Sequence, residues 1–243
     1  EFQVLGDNYG NVECLFEREC SVQRRNQKLL EEAPANNFSP SLRSETADVL
    51  KKALSKMGYT SAGTVEFLLS HDEKLYFMEM NTRIQVEHPV TELITGIDIV
   101  EWQVRIACGE KLNLRPKISG HALECRINAE DPKNDFKPSP GVITALSLPK
   151  NDPQGPVRID THISEGFRVT PFYDSMLAKV ITYGKTRFDA VELMKKTLAA
   201  MKVEGVKTTI DFHQAILASD EFSLGRYDCS FIPQNLDRLL WQK

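Results

Sequence analysis

The strongest constraint on the fold is a pair of strand-like segments, residues 63–69 and 75–81, joined by the polar loop 71–74. If those four residues form the whole loop of a hairpin, Glu66 lies directly opposite Glu79. The Cβ atoms of such a pair lie about 5 Å apart. Two like charges at that distance destabilise a hairpin unless a positive group lies between them.

Asn81 lies two residues beyond Glu79 and therefore on the same strand face. Two carboxylates and an amide oxygen are hard ligands that suit Mg²⁺ or Mn²⁺ shared with phosphate groups. A pair of solvated glutamates on an exposed sheet face explains the same pattern. The hairpin alone favours that simpler interpretation.

The segment that follows changes this balance. Every odd position from Glu79 to Glu87 is polar, and the even positions between them are uncharged. While the chain stays extended, two acids, an arginine and two amides share one face. An arginine beside metal-bound phosphate can hold an anion, and a further carboxylate can act as a general base.

A basic stretch, residues 23–28, has two interpretations. Such a run is usually a solvated loop, but it can also form an anion site with Lys28 as the point charge. The five histidines have no metal-ligand spacing between them and are interpreted as structural.

The bulk composition is that of a soluble globular protein, with 41% hydrophobic and 26% charged residues in 243. A net charge of −4 gives no reason to expect nucleic-acid binding, and no apolar run is long enough to span a membrane. Five scattered cysteines without a CxxC pair fit a reducing compartment, so we expect a cytoplasmic protein, with plastid or mitochondrial matrix as alternatives. The chain opens directly on a strand pattern without Met, as expected of a piece of a longer polypeptide.

The secondary-structure pattern predicts an α+β fold, largely antiparallel sheet flanked by helices, with domains at 1–118 and 119–243. Further strands are predicted at 1–6, 12–18, 120–128, 142–148, 156–162 and 176–183. Helices are predicted at 40–57, 90–109, 186–204 and 208–218. Ala47, Leu50, Leu54 and Met57 form the expected buried stripe of the first helix. In the strand 120–128, alternation turns residues 121, 123, 125 and 127 inward and Glu124, Arg126 and Asn128 outward.

Four long motifs occur in the order found in one known family. Residues 79–92, Glu-Met-Asn-Thr-Arg-Ile-Gln-Val-Glu-His-Pro-Val-Thr-Glu, resemble the active-site segment of biotin carboxylases. Residues 18–34 resemble the bicarbonate loop of that family, and residues 124–132 and 173–176 complete the set. The sequence of the first motif resembles the corresponding segment of acyl-CoA carboxylases, including acetyl-CoA carboxylase of fatty acid biosynthesis, more than that of pyruvate carboxylases.

The resemblance implies the C-terminal half of an ATP-grasp ligase that carboxylates biotin with ATP and bicarbonate through carboxyphosphate. It implies that Glu66, Glu79 and Asn81 hold Mg²⁺ or Mn²⁺. It implies a bicarbonate site made of Lys28, Arg83, Gln85 and the backbone amide of Val86. Glu87 is implied as the base, and Arg83 as the group that stabilises the biotin enolate.

The resemblance further implies that Arg126 orients biotin or bicarbonate, with Asp174 as its candidate ion-pair partner. Gln23 and Leu68 would line the nucleotide site, with Cys229 as a further candidate near the adenine. Asn26 departs from the commoner histidine at its position.

The implied partners are a biotin carboxyl carrier protein or domain, a carboxyltransferase, and a second copy of the full-length subunit. The family's N-terminal domain and its Gly-rich lid have no counterpart among these residues, so the fragment is expected to be inactive alone. Two other interpretations remain: another ATP-grasp enzyme with an acyl-phosphate intermediate, such as a carbamoyl-phosphate synthetase, and an assembly module with a vestigial site.

Overall fold

A computed structural model describes residues 1–241. The strands are β1 (Phe2–Gly6), β2 (Val12–Glu17), β3 (Glu19–Arg24), β4 (Gln27–Ala33), β5 (Ser61–Leu69), β6 (Leu75–Asn81), β7 (His121–Asn128), β8 (Glu130–Asp131), β9 (Lys137–Pro138), β10 (Gly141–Val142), β11 (Ala145–Ser147), β12 (Val157–Thr161), β13 (Arg168–Val169), β14 (Met176–Gly184) and β15 (Lys202–Glu204). The helices are α1 (Pro40–Met57), α2 (His88–Thr95), α3 (Ile99–Ala107), α4 (Arg187–Ala200), α5 (Ile210–Ala218), α6 (Asp220–Ser223) and α7 (Phe231–Trp241), with a 3₁₀ turn at Pro132–Asn134.

The chain forms two compact units. One consists of Glu1–Glu19 and Glu32–Ser119, and the other of Cys20–Glu31 and the residues from Gly120 onward. The segment Cys20–Glu31 was expected in the domain 1–118, but it supplies β3 and most of β4 to the sheet that contains β7. The position of this segment in the sequence does not show that it belongs to the second unit, because its assignment depends on pairing with a strand far along the chain.

The first unit is built on an antiparallel sheet of order β2-β1-β5-β6. Val4 of β1 joins a core with Leu50 and Leu54 of α1, whereas the adjacent Leu5 joins a second core with Trp102 of α3. Alternating side chains of one strand thus enter cores on opposite faces, because strand side chains alternate in direction. This burial on both faces holds the β5–β6 hairpin on a rigid support.

Helix α1 has the predicted ends. Ser39 is the N-cap, with its side chain accepting from the Leu42 amide, and Gly58 ends the helix at φ 67°. The predicted stripe fails at Met57, which is 74% exposed. Three residues past Leu54, a helical position is rotated by about 60°, which takes Met57 off the apolar arc.

The β5–β6 hairpin contains an irregularity that places its acids. Next to the loop, Leu75 pairs with Leu69 and Phe77 with Phe67, one register earlier than predicted. The register then shifts between Glu66 and Phe67, so that Glu66 pairs with Glu79. A bulge with one additional residue on β6 restores the predicted carboxylate pair.

The second unit contains a five-stranded sheet of order β12-β14-β7-β4-β3. Strand β7 lies at its centre, and residues predicted to face outward are buried: Glu124 is fully inaccessible and Asn128 is 2% exposed. The prediction was wrong because a central strand covered on both faces does not expose its alternate residues. The core of this sheet packs against α4, including Met194 and Leu198.

Several predicted boundaries also differ. Residues 90–109 form two helices, because Gly96 takes a left-handed φ of 68° and Asp98 then caps α3. Helix α4 has the expected capping box at Thr186 but ends at Ala200, since β15 pairs with β11. Helices α6 and α7 were missed by the sequence patterns, and the predicted strand at 142–148 is divided into β10 and β11. Within residues 1–241, no helix combines the length and apolar character needed to cross a bilayer.

Candidate active site

The two opposed glutamates of the hairpin share one hydrogen-bond donor. The Asn81 Nδ2 atom lies 3.2 Å from Glu66 Oε1 and 3.0 Å from Glu79 Oε1. The partial positive charge of the amide thus lies between the carboxylates, where their repulsion demands it. Rotating the Asn81 amide by half a turn would put Oδ1 at this point, giving three hard oxygens for a divalent cation. The residues present therefore fit a Mg²⁺ site.

The strand β6 ends at the predicted residue, and the chain beyond it does not stay extended, which was the condition for the polar residues 79–87 to share one face. The strand ends at Asn81, and Glu87 takes the N-cap position of α2 with φ −82° and ψ 6°. Arg83 remains exposed and its Nη2 atom donates to Asn81 Oδ1 at 3.3 Å, whereas Gln85 and Glu87 are buried. The polar segment therefore places its arginine at the surface and its last two polar groups inside the unit.

Gln85 connects the acid pair to the interior of the first unit. Its Nε2 atom donates to Glu66 Oε1 at 2.9 Å, and its Oε1 atom accepts from Arg18 Nη2 at 3.2 Å. The Arg18 side chain is fully buried and forms an ion pair with Glu1 at 2.5 Å. No local pattern singles out Arg18, because its partners come from distant parts of the sequence.

The basic stretch of the second unit is a tight hairpin rather than a solvated loop. Arg25 and Asn26 form the turn between β3 and β4, with φ values of 50° and 63°. Two consecutive residues at positive φ are typical of a two-residue hairpin turn, and asparagine tolerates this region better than most residues. Gln23 lies on β3 and Lys28 on β4, both half-buried.

Arg126 is held by a carboxylate that the sequence did not indicate. Its Nε and Nη2 atoms lie 2.6 and 2.5 Å from Oε1 of Glu31, which is fully buried on β4. The expected partner Asp174 instead accepts a hydrogen bond from the Met176 amide at 2.8 Å. Arg126 pairs with Glu31 and not with Asp174 because Glu31 lies on β4, the neighbour of β7, whereas Asp174 belongs to an exposed turn.

The backbone of Arg126 is also fixed. Its carbonyl oxygen accepts from Thr209 Oγ1 at 3.2 Å and from His213 Nε2 at 2.7 Å. His213 must therefore carry its proton on Nε2, which leaves Nδ1 as an acceptor, and within the described chain that atom has no hydrogen-bond partner.

Two of the residues predicted for the nucleotide site are exposed. Leu68 is 50% exposed and stands two positions from Glu66 on β5, and Cys229 is exposed in the second unit. The structure connects Glu66, Glu79, Asn81, Arg83 and Gln85 directly by hydrogen bonds.

Two family models match the chain, one for each part. Residues 1–115 match the model described as "Carbamoyl-phosphate synthase L chain, ATP binding domain", and residues 124–234 match "Biotin carboxylase C-terminal domain". The first part is therefore of the ATP-grasp class.

Relatives and solved structures narrow this class. The chain is 50% identical to a biotin carboxylase of Nostoc sp. over 96% of its own length and 52% of the relative. The crystal structure of the biotin carboxylase domain dimer of Hydrogenobacter thermophilus 2-oxoglutarate carboxylase, in complex with MgADP, ADP and bicarbonate, matches with a TM-score of 0.95 and 44% identity. That match covers all of this chain and 53% of the other. The complete pyruvate carboxylase of Rhizobium etli matches with a TM-score of 0.95 and 39% identity, over all of this chain and 24% of that one.

The chain belongs to the biotin carboxylase family. It spans about half the length of the curated relatives it matches.

The burial of His213 predicts a pH dependence of stability. Burial lowers its pKa from 6.5 to about 4, and the hydrogen bond to the Arg126 carbonyl opposes that shift. Below pH 6.5 the unfolded chain binds a proton that the folded chain refuses, so stability falls by roughly 3 kcal/mol as the pH drops to about 4. His213→Gln should remove this part of the acid sensitivity in urea titrations at pH 7 and pH 5.

The control for this experiment is His71→Gln, which changes an exposed histidine in the β5–β6 loop. It should leave the pH dependence as in the wild type. An unchanged acid sensitivity in the His213 variant would mean that His213 is already protonated in the folded chain.

Proposed function

We propose that this chain is the C-terminal portion of a biotin carboxylase, the full-length enzyme. That enzyme would convert ATP, bicarbonate and carrier-bound biotin to ADP, phosphate and carboxybiotin. The observation that carries the proposal is the pairing of Glu66 with Glu79, with Asn81 within hydrogen-bond distance of both. A repulsive pair held in place by a bulge and an amide is poorly explained as solvated surface.

The acid pair would bind the metal that accompanies ATP. Glu66, Glu79 and Asn81 would hold Mg²⁺, or Mn²⁺, which neutralises charge on the phosphates when bound. The magnesium-containing ADP complex of the Hydrogenobacter relative supports this assignment. Leu68, on the same strand, and Gln23 would line the nucleotide site, with Cys229 as a further candidate.

Bicarbonate would be held by Arg83, Gln85, the Val86 amide and Lys28. Glu87 would remove its proton, so that the resulting oxyanion attacks the γ-phosphate of ATP and releases ADP. The product, carboxyphosphate, breaks down to CO₂ and phosphate. The released phosphate would take the N1′ proton of biotin, and the deprotonated N1′ atom would then attack CO₂. The exposed Arg83 beside Asn81 would stabilise the negative charge that develops on biotin.

Arg126 would orient biotin or bicarbonate. Its side chain has two contacts to the buried Glu31, and its carbonyl is fixed by Thr209 and His213. A guanidinium anchored in this way is pre-organised for an anionic group, which lowers the entropy lost on binding. Asp174, which lies on an exposed turn, would line the same biotin or bicarbonate site.

The proposed partners are a biotin carboxyl carrier, a carboxyltransferase and a second copy of the full-length subunit. The dimer of the Hydrogenobacter domain supports the last of these. We infer an acyl-CoA carboxylase, as in fatty acid biosynthesis, from the wording of residues 79–92. The five cysteines, scattered without a CxxC pair, support a reducing compartment such as the cytosol, a plastid or the mitochondrial matrix.

The function is tested by phosphate release from Mg-ATP in the presence of bicarbonate and free biotin. The full-length enzyme should show biotin-dependent ATP hydrolysis, and residues 1–243 alone should show none. Aligning the reactants can lower such barriers by about 7–11 kcal/mol. A fragment with an incomplete ATP clamp should lose much of this rate acceleration. Turnover that depends on ammonia instead of biotin would assign a carbamoyl-phosphate type of reaction.

The metal assignment predicts the effect of removing one charge. In the full-length enzyme, Glu79→Gln or Glu66→Gln should raise the Mg²⁺ concentration for half-maximal turnover by ~10–100-fold or more. Loss of a residue that only supports a metal ligand typically weakens metal affinity by that factor, and these substitutions remove a charged ligand itself. Glu73→Gln, in the loop of the same hairpin, is the matched control and should behave as wild type. Equal Mg²⁺ dependence in all variants would mean that Glu66 and Glu79 are solvated surface residues without a role in metal binding.

Arg83 should act in the chemical step. Arg83→Ala should lower kcat for biotin carboxylation by roughly 10²-fold or more, as the loss of one donor to a developing negative charge typically does. The Kd for Mg-ATP, from titration calorimetry, should change little. A collapse of nucleotide affinity with preserved turnover of bound substrate would contradict this role.

A further inference from the structure

Arg18 is an unusual buried cation because all five of its N–H groups are used. Its side chain is inaccessible to solvent. Its donors meet the following side-chain oxygens: Glu1 at 2.5 Å, Gln3 at 2.8 Å, Thr91 at 2.9 Å, Thr64 at 3.1 Å and Gln85 at 3.2 Å. Burying a guanidinium is costly unless it is paired and fully hydrogen-bonded, and this set meets both conditions.

Only one of these five acceptors is an ionised side chain, namely Glu1. The others are neutral groups on β1, β5, α2 and the segment before α2. An ion pair alone would not need Gln85, whose other end contacts Glu66. The arrangement therefore links a rigid buried cation to the acid pair through a single amide.

A glutamine amide can be turned either way, and Arg18 decides which way. Arginine has donors and no acceptor, so Gln85 must present Oε1 to it. The Nε2 atom is then aimed at Glu66 Oε1, at 2.9 Å. With the amide reversed, two N–H groups would face each other and a carbonyl oxygen would face the Glu66 carboxylate.

We propose that Arg18 is a positioning residue for the carboxylation reaction, which fixes the Gln85 amide with its N–H group toward Glu66 and the anion bound beside it. The inference rests on the proposed function. Arg18 itself touches no substrate. It acts through Gln85, which would donate to bicarbonate, and through the hydrogen bond that steadies Glu66.

The test begins with Arg18→Lys in the full-length enzyme. Lysine keeps the charge but loses the planar fork, so it cannot serve five acceptors. We expect the KM for bicarbonate to rise roughly tenfold or more, as for loss of a hydrogen bond from a charged donor, with the KM for ATP nearly unchanged. Arg43→Lys is the matched control, because Arg43 forks onto the buried Glu17 at 2.7 Å with both contacts. It should lower stability and leave the KM for bicarbonate unchanged.

A double-mutant cycle separates positioning from general stability. In a Gln85→Ala background, Arg18→Lys should cause no further change in the KM for bicarbonate, since the amide it orients is gone. Independent, multiplicative effects of the two substitutions would overturn the proposal. So would an effect of Arg18→Lys that Arg43→Lys reproduces.

A second variant covers the case in which Arg18→Lys does not fold. Glu1→Gln with Arg18→Met removes both charges together and leaves no unpaired ion in the interior. It should give the same rise in the KM for bicarbonate. A folded double variant with wild-type kinetics would contradict the positioning role.

The crystal structure of these full-length variants gives a readout that does not require activity. Loss of Arg18 should move Gln85 Nε2 beyond hydrogen-bond distance of Glu66, while Arg43→Lys should keep the contact. An unmoved Gln85 overturns the proposal even in an active enzyme. Absence of biotin-dependent turnover in the wild type would instead overturn the proposed function, and the position of Gln85 would still decide the role of Arg18.

Discussion

The repulsion between Glu66 and Glu79 is the constraint to which the first unit is fitted. The hairpin holds two carboxylates opposite each other, and a bulge in β6 is required to bring them into register. Three polar groups then compensate: the Asn81 amide between the carboxylates, the Gln85 amide on Glu66, and Arg83 on Asn81. The surrounding donors thus limit the cost of holding two carboxylates side by side.

Buried charge elsewhere is handled by the same rule. Arg18 distributes its donors over five acceptors, and Glu31 takes both contacts from Arg126. Arg18 and Glu31 are buried, and an unpaired charge at either position would cost several kcal/mol. Side chains held in this way lose little conformational entropy when a ligand binds beside them.

Local chemistry made much of this predictable. The caps of α1 and α4, the Glu66–Glu79 pair and the Asn81 contact follow from spacing and residue type, and the motif at 79–92 led to the family that the comparisons confirm. The roles assigned to all of the candidate site residues stay predictions. Long-range pairing could not be predicted. The contact of Arg126 with Glu31 and the network around Arg18 join residues 15 to 95 positions apart, and the burial of Glu124 depends on the strands beside β7. The bulge escaped notice because the wrong loop register and the additional residue cancel at Glu66.

The chain passes between its two units more than once. It leaves the first unit after Glu19, contributes two strands to the sheet of the second, returns at Glu32, and leaves again after Ser119. Neither unit is a continuous stretch of sequence, so no single cut yields both intact. A truncation at residue 119 would strip β7 of its neighbour β4 and leave an open sheet edge, a known route to aggregation. Inheritance, expression and engineering of one unit therefore cannot be separated from those of the other, because each unit consists of two segments of a single chain.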